Sequence, residues 1–143
     1  MIRSVTCAAV AVLALAAGAA EVRGQPIRTA AESFAEAWGS ADLAGLRIRM
    51  QNPARLTIGT ATRTGLRPEQ AVAAIRDLLR GHVDSLPTIR RAETMDSSEG
   101  AGFAELLWQT RDRASGTPVR RTILITFTRV DATLLVSDLR ILP

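Results

Sequence analysis

The sequence predicts an α+β fold in which a curved antiparallel sheet wraps around an N-terminal helix, with a second helix packed alongside. Two observations predict it. Apolar residues recur at helical spacing in two stretches before Pro87, and after Pro87 they alternate along four long extended segments. The turns between these segments are short, which favours antiparallel hairpins because a parallel crossover needs about a dozen residues. The predicted sheet is therefore a four-stranded C-terminal meander plus a short earlier hairpin.

The first segment of the chain, residues 1–24, is typical of a secretory signal peptide. Arg3 supplies a positive charge, and Val5 to Ala20 is an uncharged run of 16 mostly apolar residues. A spanning helix needs about 20 apolar residues, and this run is shorter, so the mature chain is expected to lack a stable membrane span. An uncleaved signal that anchors the chain in the membrane is the competing interpretation. We expect cleavage after residue 24, with residue 20 as the alternative. Residues 25–143 would then form one exported domain, periplasmic or extracellular.

The chain contains few of the side chains that form disulfides, bind metals or act as nucleophiles. The chain has one Cys, Cys7, which leaves with the predicted leader, so the mature chain would hold no disulfide and no thiolate. It also has one His and no Tyr. A single His without Cys partners does not make a metal site, and no glycine-rich phosphate loop occurs. We therefore expect neither a metal nor a cofactor.

The charge of the chain is modest despite its high isoelectric point. All 18 basic residues are Arg, against 14 acidic residues, and the formal net charge is +4. The isoelectric point of about 11.1 reflects the missing titration of Lys, Tyr and Cys rather than a strongly basic surface. So small a charge neutralises few phosphates, and nucleic acid is not an expected partner.

The helical stretches begin at Ile27. Apolar residues from Ile27 to Trp38 fall on one helical face, with Phe34 and Trp38 as core anchors. Gly39 and Ser40 break this helix, and Ser40 or Asp42 can cap a short second one.

A small hairpin and a further helix follow. Pro53 is expected to end the region before it, because Pro disfavours helix in the preceding residue and cannot donate a hydrogen bond. Residues 54–58 read as a short strand and residues 60–63 as a second extended piece, with a turn at Gly65. The apolar spacing over residues 68–80 predicts the next helix.

The extended segments then follow one another to the C-terminus. Their polar connections carry Ser, Gly, Pro and Asp, which are turn residues. The four segments are Thr88 to Met95, Ala101 to Arg111, Val119 to Val130, and Thr133 to Leu142.

Several of these segments resemble the nuclear transport factor 2-like superfamily, in particular its small secreted members of unknown function. The resemblance covers residues 28–142 and rests on the sequences Phe34-Ala-Glu-Ala-Trp38, Ser40-Ala-Asp42, Leu56-Thr-Ile58, the helix ending at Leu79, and Leu134-Leu-Val-Ser-Asp-Leu-Arg-Ile141. It implies a cone with a pocket in its wide mouth, and homodimers formed through the outer sheet face. The superfamily includes isomerases, dehydratases, polyketide cyclases and transport adaptors, and fold alone does not choose among them.

Five residues are candidates for lining a pocket in such a cone: Trp38, Glu105, Trp108, Arg121 and Asp138. Glu105 and Asp138 lie within strands, but the sequence does not fix which face they occupy. His82 follows a helix-ending glycine and is expected at the surface. Arg121 and Arg140, both within strands, suggest a small-molecule or anionic ligand.

These candidates support two hypotheses about function. The first is an uncharacterised exported module without catalytic activity, which binds a small ligand or a protein and forms a homodimer. The alternative is a proton-transfer enzyme of isomerase, dehydratase or cyclase type, with Asp138 or Glu105 as the base.

Overall fold

The computed structural model describes residues 19–95 and 101–143, which form three helices and six strands. Residues 1–18 of the predicted leader and the predicted turn at 97–100 lie outside the described residues. The elements in chain order are α1 (Ala19–Gly39), α2 (Leu43–Ile48), β1 (Met50–Ile58), β2 (Ala61–Leu66), α3 (Pro68–Arg80), β3 (Thr88–Thr94), β4 (Ala101–Arg111), β5 (Pro118–Val130) and β6 (Thr133–Leu142).

All six strands belong to one sheet, in the order β2-β1-β6-β5-β4-β3. Strands β3 to β6 form the predicted antiparallel meander, and β1 and β2 form the predicted hairpin. The hairpin joins the meander through a parallel pair between β1 and β6. The predicted antiparallel sheet is confirmed apart from this one parallel pair. The connection from β1 to β6 contains α3 and four strands, which is long enough for a parallel crossover.

Strand β1 is longer than the sequence predicted. It begins at Met50 and runs through Asn52-Pro53, whose peptide bond is cis. Its pairing with β6 shifts register between Met50 and Arg55, so the exposed Pro53 lies in an irregular stretch where a missing backbone donor is tolerated. Gly65 likewise lies inside β2, with φ of 66°, rather than in a turn.

The helix boundaries follow from capping chemistry. Asp42 precedes α2, and its Oδ1 atom accepts a hydrogen bond from the Gly45 N–H at 3.0 Å. Helix α3 begins at Pro68, where a missing N–H costs nothing, and Gly81 caps its end as the sequence predicted. The apolar stripe of α3 is buried through Ala71, Val72, Ile75 and Leu79.

One face of the sheet packs against the helices, and we call it the concave face. Helix α1 contacts β3, β4 and β6, and α3 contacts β1 and β2. Gly102 marks this face on β4, because a Cβ atom there would clash with Cδ1 of Ile27 in α1. The even-numbered residues of β4 from Gly102 to Thr110 are buried, and its odd-numbered residues are more exposed. No described helix covers the opposite, convex face.

Candidate functional site

The concave side of the sheet is filled by a row of four rings. The Phe34 and Trp38 rings lie one helical turn apart on α1, with centroids 5.8 Å apart. Trp38 meets Trp108 of β4 edge to face at 5.2 Å, and Trp108 meets His82 at 5.0 Å. Both Trp side chains are only 1% exposed. Edge-to-face contact of this kind stabilises a packed core beyond the burial of area alone.

His82 belongs to this row, so the expectation that it lies at the surface is wrong. The residue is 8% exposed. Its ring Nδ1 lies 2.8 Å from the Leu78 carbonyl oxygen, and its backbone N–H donates to the Leu79 carbonyl at 3.1 Å. An isolated bridge to Asp112 then fixes the chain against the end of β4. The chain turns inward after α3, and this turn carries the ring into the core.

Three buried donors on the concave side have no hydrogen-bond acceptor among the described residues. They are the indole Nε1 atoms of Trp38 and Trp108 and the Nε atom of Arg121. Arg121 on β5 lies directly opposite Trp108 on β4. Directly opposite residues share a sheet face. Each buried donor without an acceptor destabilises the fold by about 1–3 kcal/mol. The three donors either donate to a bound ligand or remain unpaired at that cost in stability.

Glu105 and Asp138 lie on the convex face, away from Trp38 and Trp108. Glu105 stands opposite Leu124, and Asp138 opposite Thr126. The adjacent residues Ala104, Leu106 and Leu139 are buried. The expectation that these two carboxylates line the cone with the other three candidates is therefore wrong. The physical reason is strand alternation, which sends them to the other side of the sheet.

This placement puts the two carboxylates that the proton-transfer alternative names as its base, Glu105 and Asp138, on the convex face. Within residues 26–95 and 101–143, His82 and Thr110 are the only polar or charged residues that are buried. A base near a carbon acid in an enclosed site needs a side chain that points into that site. No cluster of three or more potential metal ligands occurs in the same part of the chain.

The convex face combines apolar and charged side chains. Asp138 Oδ2 accepts hydrogen bonds from the Arg140 Nε and Nη2 atoms at 3.3 and 3.2 Å, while its Oδ1 atom is buried without a partner. The Arg91 guanidinium lies over the Phe103 ring at 5.2 Å. Half-buried apolar side chains of this face are Phe103, Leu107, Leu124, Leu135 and Leu142.

The fold defines the class of protein. The chain has the nuclear transport factor 2-like fold, as the order of its elements predicted. Neither the comparison with protein-family models nor the comparison with curated protein sequences finds a match. Among the described residues, no helix is long and apolar enough to cross a membrane.

Particular solved structures resemble the chain in fold. A DUF4783 family protein from Bacteroides uniformis has a TM-score of 0.66 at 14% identity, covering 78% of this chain and 94% of its own. An NTF-2 like protein of unknown function from Shewanella oneidensis has a TM-score of 0.65 at 13% identity, with coverages of 83% and 98%. A protein with a ketosteroid isomerase-like fold from Catenulispora acidiphila, in complex with trimethylamine, has a TM-score of 0.63 at 14% identity, with coverages of 80% and 84%.

Proposed function

We propose that the chain is an exported, non-catalytic interaction module that pairs with a second copy of itself through the convex face. One observation carries the proposal. The concave side is packed with aromatic and aliphatic side chains, whereas the convex face has no described helix over it and exposes a band of partly buried apolar residues. An apolar band rimmed by polar residues is typical of a protein-binding surface.

The charges of the convex face suit contact between identical surfaces. Five Arg and three carboxylates are spread over it: Arg55, Arg91, Arg111, Arg120, Arg140, Glu93, Glu105 and Asp138. In a twofold dimer the same patch meets itself, so a patch carrying both signs can place opposite charges across the interface. The unpartnered Oδ1 atom of Asp138 lies on this face and could accept a hydrogen bond from a second copy.

A substitution at the centre of the face tests the pairing. Leu124 lies on β5 between β4 and β6 and would be buried twice in a twofold interface. Losing two buried Leu side chains would cost about 3 kcal/mol or more, which is over a hundredfold in the dimer dissociation constant. Multi-angle light scattering of the exported protein should give a dimer mass, and Leu124→Arg a monomer mass. Ala44→Arg, on the exposed surface of α2, is the matched control and should remain a dimer. A wild-type monomer at high concentration, or a dimeric Leu124→Arg, would contradict the proposal.

The start of α1 supports export with cleavage after residue 24. Pro26 lies inside α1, where it cannot donate the usual hydrogen bond. A chain beginning at Gln25 would place Pro26 in the first turn, where Pro is favourable. Expression of the full-length gene and an intact mass of the recovered protein test this step. The expected mass starts at Gln25, and recovery of the whole uncleaved chain would oppose it.

A second candidate function is binding of a small ligand that carries hydrogen-bond acceptors. It rests on the unpartnered donors of Trp38, Trp108 and Arg121. The trimethylamine complex of the Catenulispora acidiphila protein shows a small molecule bound to a protein of this fold. Native mass spectrometry of protein purified from its own cell envelope would detect a retained ligand. The Arg121→Leu variant, purified in the same way, should no longer carry the added mass of the ligand. A variant that still carries this added mass would exclude the site.

A further inference from the structure

A cleft on the outside of the helical layer combines an apolar floor with three guanidinium groups. It has a volume of about 280 Å³ and lies between the start of α2, the last turns of α3 and the loop after β4. Leu43 and Leu79 contribute apolar surface. The charged side chains that line it are Arg76, Arg80, Arg113 and Asp84. Its lining therefore has three positive charges and one negative charge.

Two of the guanidinium groups are available for a ligand. Arg76 and Arg80 lie one turn apart on α3 and so share a helix face. Arg76 contacts Asp77 at 3.4 Å, but the two side chains are 43% and 69% exposed. An exposed pair of this kind contributes little and exchanges readily. Arg80 makes no ion pair or hydrogen bond with any residue in the described part of the chain.

The third guanidinium group, that of Arg113, is held in place by the end of α3. Its Nη2 atom donates to the His82 carbonyl oxygen at 2.9 Å, and its backbone N–H donates to the Gly81 carbonyl at 2.9 Å. These bonds occupy carbonyl groups just beyond the helix end, whose partial negative charge would otherwise oppose an anion. The remaining guanidinium donors keep a fixed position at the cleft.

The loop that carries Arg113 is itself pinned. Asp112 Oδ1 accepts hydrogen bonds from the Ser115 N–H at 2.8 Å, the Ser115 hydroxyl at 3.0 Å and the Ala114 N–H at 3.0 Å. These bonds, led by that of the Ser115 backbone, lower the pKa of the Asp112 carboxyl below its usual 3.8. Asp112 therefore stays ionised at neutral pH. Because its hydrogen bonds already order the loop, less conformational entropy is lost when a ligand binds to Arg113.

The geometry points to a binding site for a small amphipathic carboxylate, with an apolar body on Leu43 and Leu79 and a carboxylate held by Arg76, Arg80 and Arg113. Guanidinium groups bind carboxylates through paired, charge-assisted hydrogen bonds. The volume is just below the range of about 300–1,000 Å³ for ligand pockets, which limits the body to a short chain or a single ring. Asp84 on the rim disfavours ligands with additional negative charge.

Octanoate is the probe that tests this site. Isothermal titration calorimetry on the full exported protein should give a dissociation constant of about 1 mM or lower, as expected for a ligand of this size. Acetate lacks the apolar body and octanol lacks the charge, so each should bind at least about tenfold more weakly. Amide chemical shifts should change at residues 76–84 and 113. The proposal is wrong if octanoate shows no binding at about 10 mM, ten times the expected dissociation constant. It is also wrong if octanoate changes the chemical shifts only of amides outside residues 76–84 and 113.

Charge variants test which residues bind the carboxylate. Arg80→Gln should weaken octanoate binding about fivefold, and Arg76→Gln combined with Arg80→Gln about twentyfold. Asp84→Asn should strengthen it about twofold, because it removes the negative charge from the rim. Arg28→Gln on α1 changes the net charge equally at an exposed site away from the cleft, and should leave the dissociation constant unchanged. Equal weakening by Arg28→Gln, or normal binding by the double variant, would overturn the assignment.

Discussion

Trp108 is the side chain whose replacement tests the packing of the concave side most fully. It is 1% exposed and contacts both Trp38 and His82. Trp108→Ala should lower the free energy of unfolding by about 3–5 kcal/mol, the usual cost of truncating a buried aromatic residue to Ala. For a domain of this size that corresponds to a fall in Tm of roughly 10–20 °C.

Trp108→Phe should behave differently, because the indole Nε1 has no acceptor in the described structure. The smaller ring loses about 1 kcal/mol of burial, counted at about 25 cal/mol for each Å². Removing an unpartnered buried donor returns about 1–3 kcal/mol. The net change runs from about zero to a gain of about 2 kcal/mol, so the Phe variant should be at least as stable as the wild type.

Urea unfolding followed by far-ultraviolet circular dichroism measures both variants, at one protomer concentration because a dimer gains stability with concentration. Trp38→Phe is a parallel case, since its Nε1 is also unpartnered. A loss of about 3 kcal/mol or more in Trp108→Phe would refute the reasoning, since it would mean that the indole N–H has a bound acceptor. A loss below about 1 kcal/mol in Trp108→Ala would refute the packed interior itself.

Two further predictions concern the turns that position the helices. Gly39→Ala should destabilise the protein by about 1–3 kcal/mol, because the new Cβ would lie 2.8 Å from the Leu86 Cα atom. Gly81→Ala, whose nearest contact would be 3.7 Å, is the control and should change the Tm little in a thermal melt; equal losses would contradict the steric argument. Asp112→Ala should lower the Tm at pH 7, and the difference from wild type should shrink as the pH falls below 3.8 and through the lowered pKa of Asp112. The sign follows because a carboxylate with a lowered pKa stabilises the fold only while ionised, so a difference that grows in acid would contradict it.

Much of the fold could be predicted because local signals and tertiary structure agree. The boundaries of α3, β4 and β6 match the predicted ones, since Pro68, Gly81 and the turn residues act locally. The pairing of β1 with β6 could not be predicted in the same way. The two strands are about 80 residues apart along the chain, and no hairpin turn connects them to set their register. Pro53 misled for a related reason, because a register irregularity in the folded sheet accommodates it.

The site was harder to predict than the fold, although one signal was present. Glu105 and Trp108 are three residues apart in an uninterrupted strand, so alternation places them on opposite faces. Only one of the two could therefore have lined the cone. The position of Asp138 depends on a register shift between β5 and β6 near Thr126, which the sequence does not mark. The burial of His82 depends on contacts with Trp108 and Asp112, both distant along the chain.

Cross-linking through single cysteines is the measurement that tests the convex-face interface most directly. Cysteine would be placed in turn at Thr122, Leu124 and Thr126, three successive convex positions of β5, in a Cys7→Ser background. Near the axis of a twofold dimer, equivalent Cα atoms within about 4–7 Å can form a disulfide. We expect a disulfide-linked dimer from at least one of these positions under mild oxidation, and none from Ala44→Cys on α2. The convex-face interface would be contradicted if none of the three β5 variants formed a disulfide-linked dimer. It would also be contradicted if Ala44→Cys formed one as fast as they do.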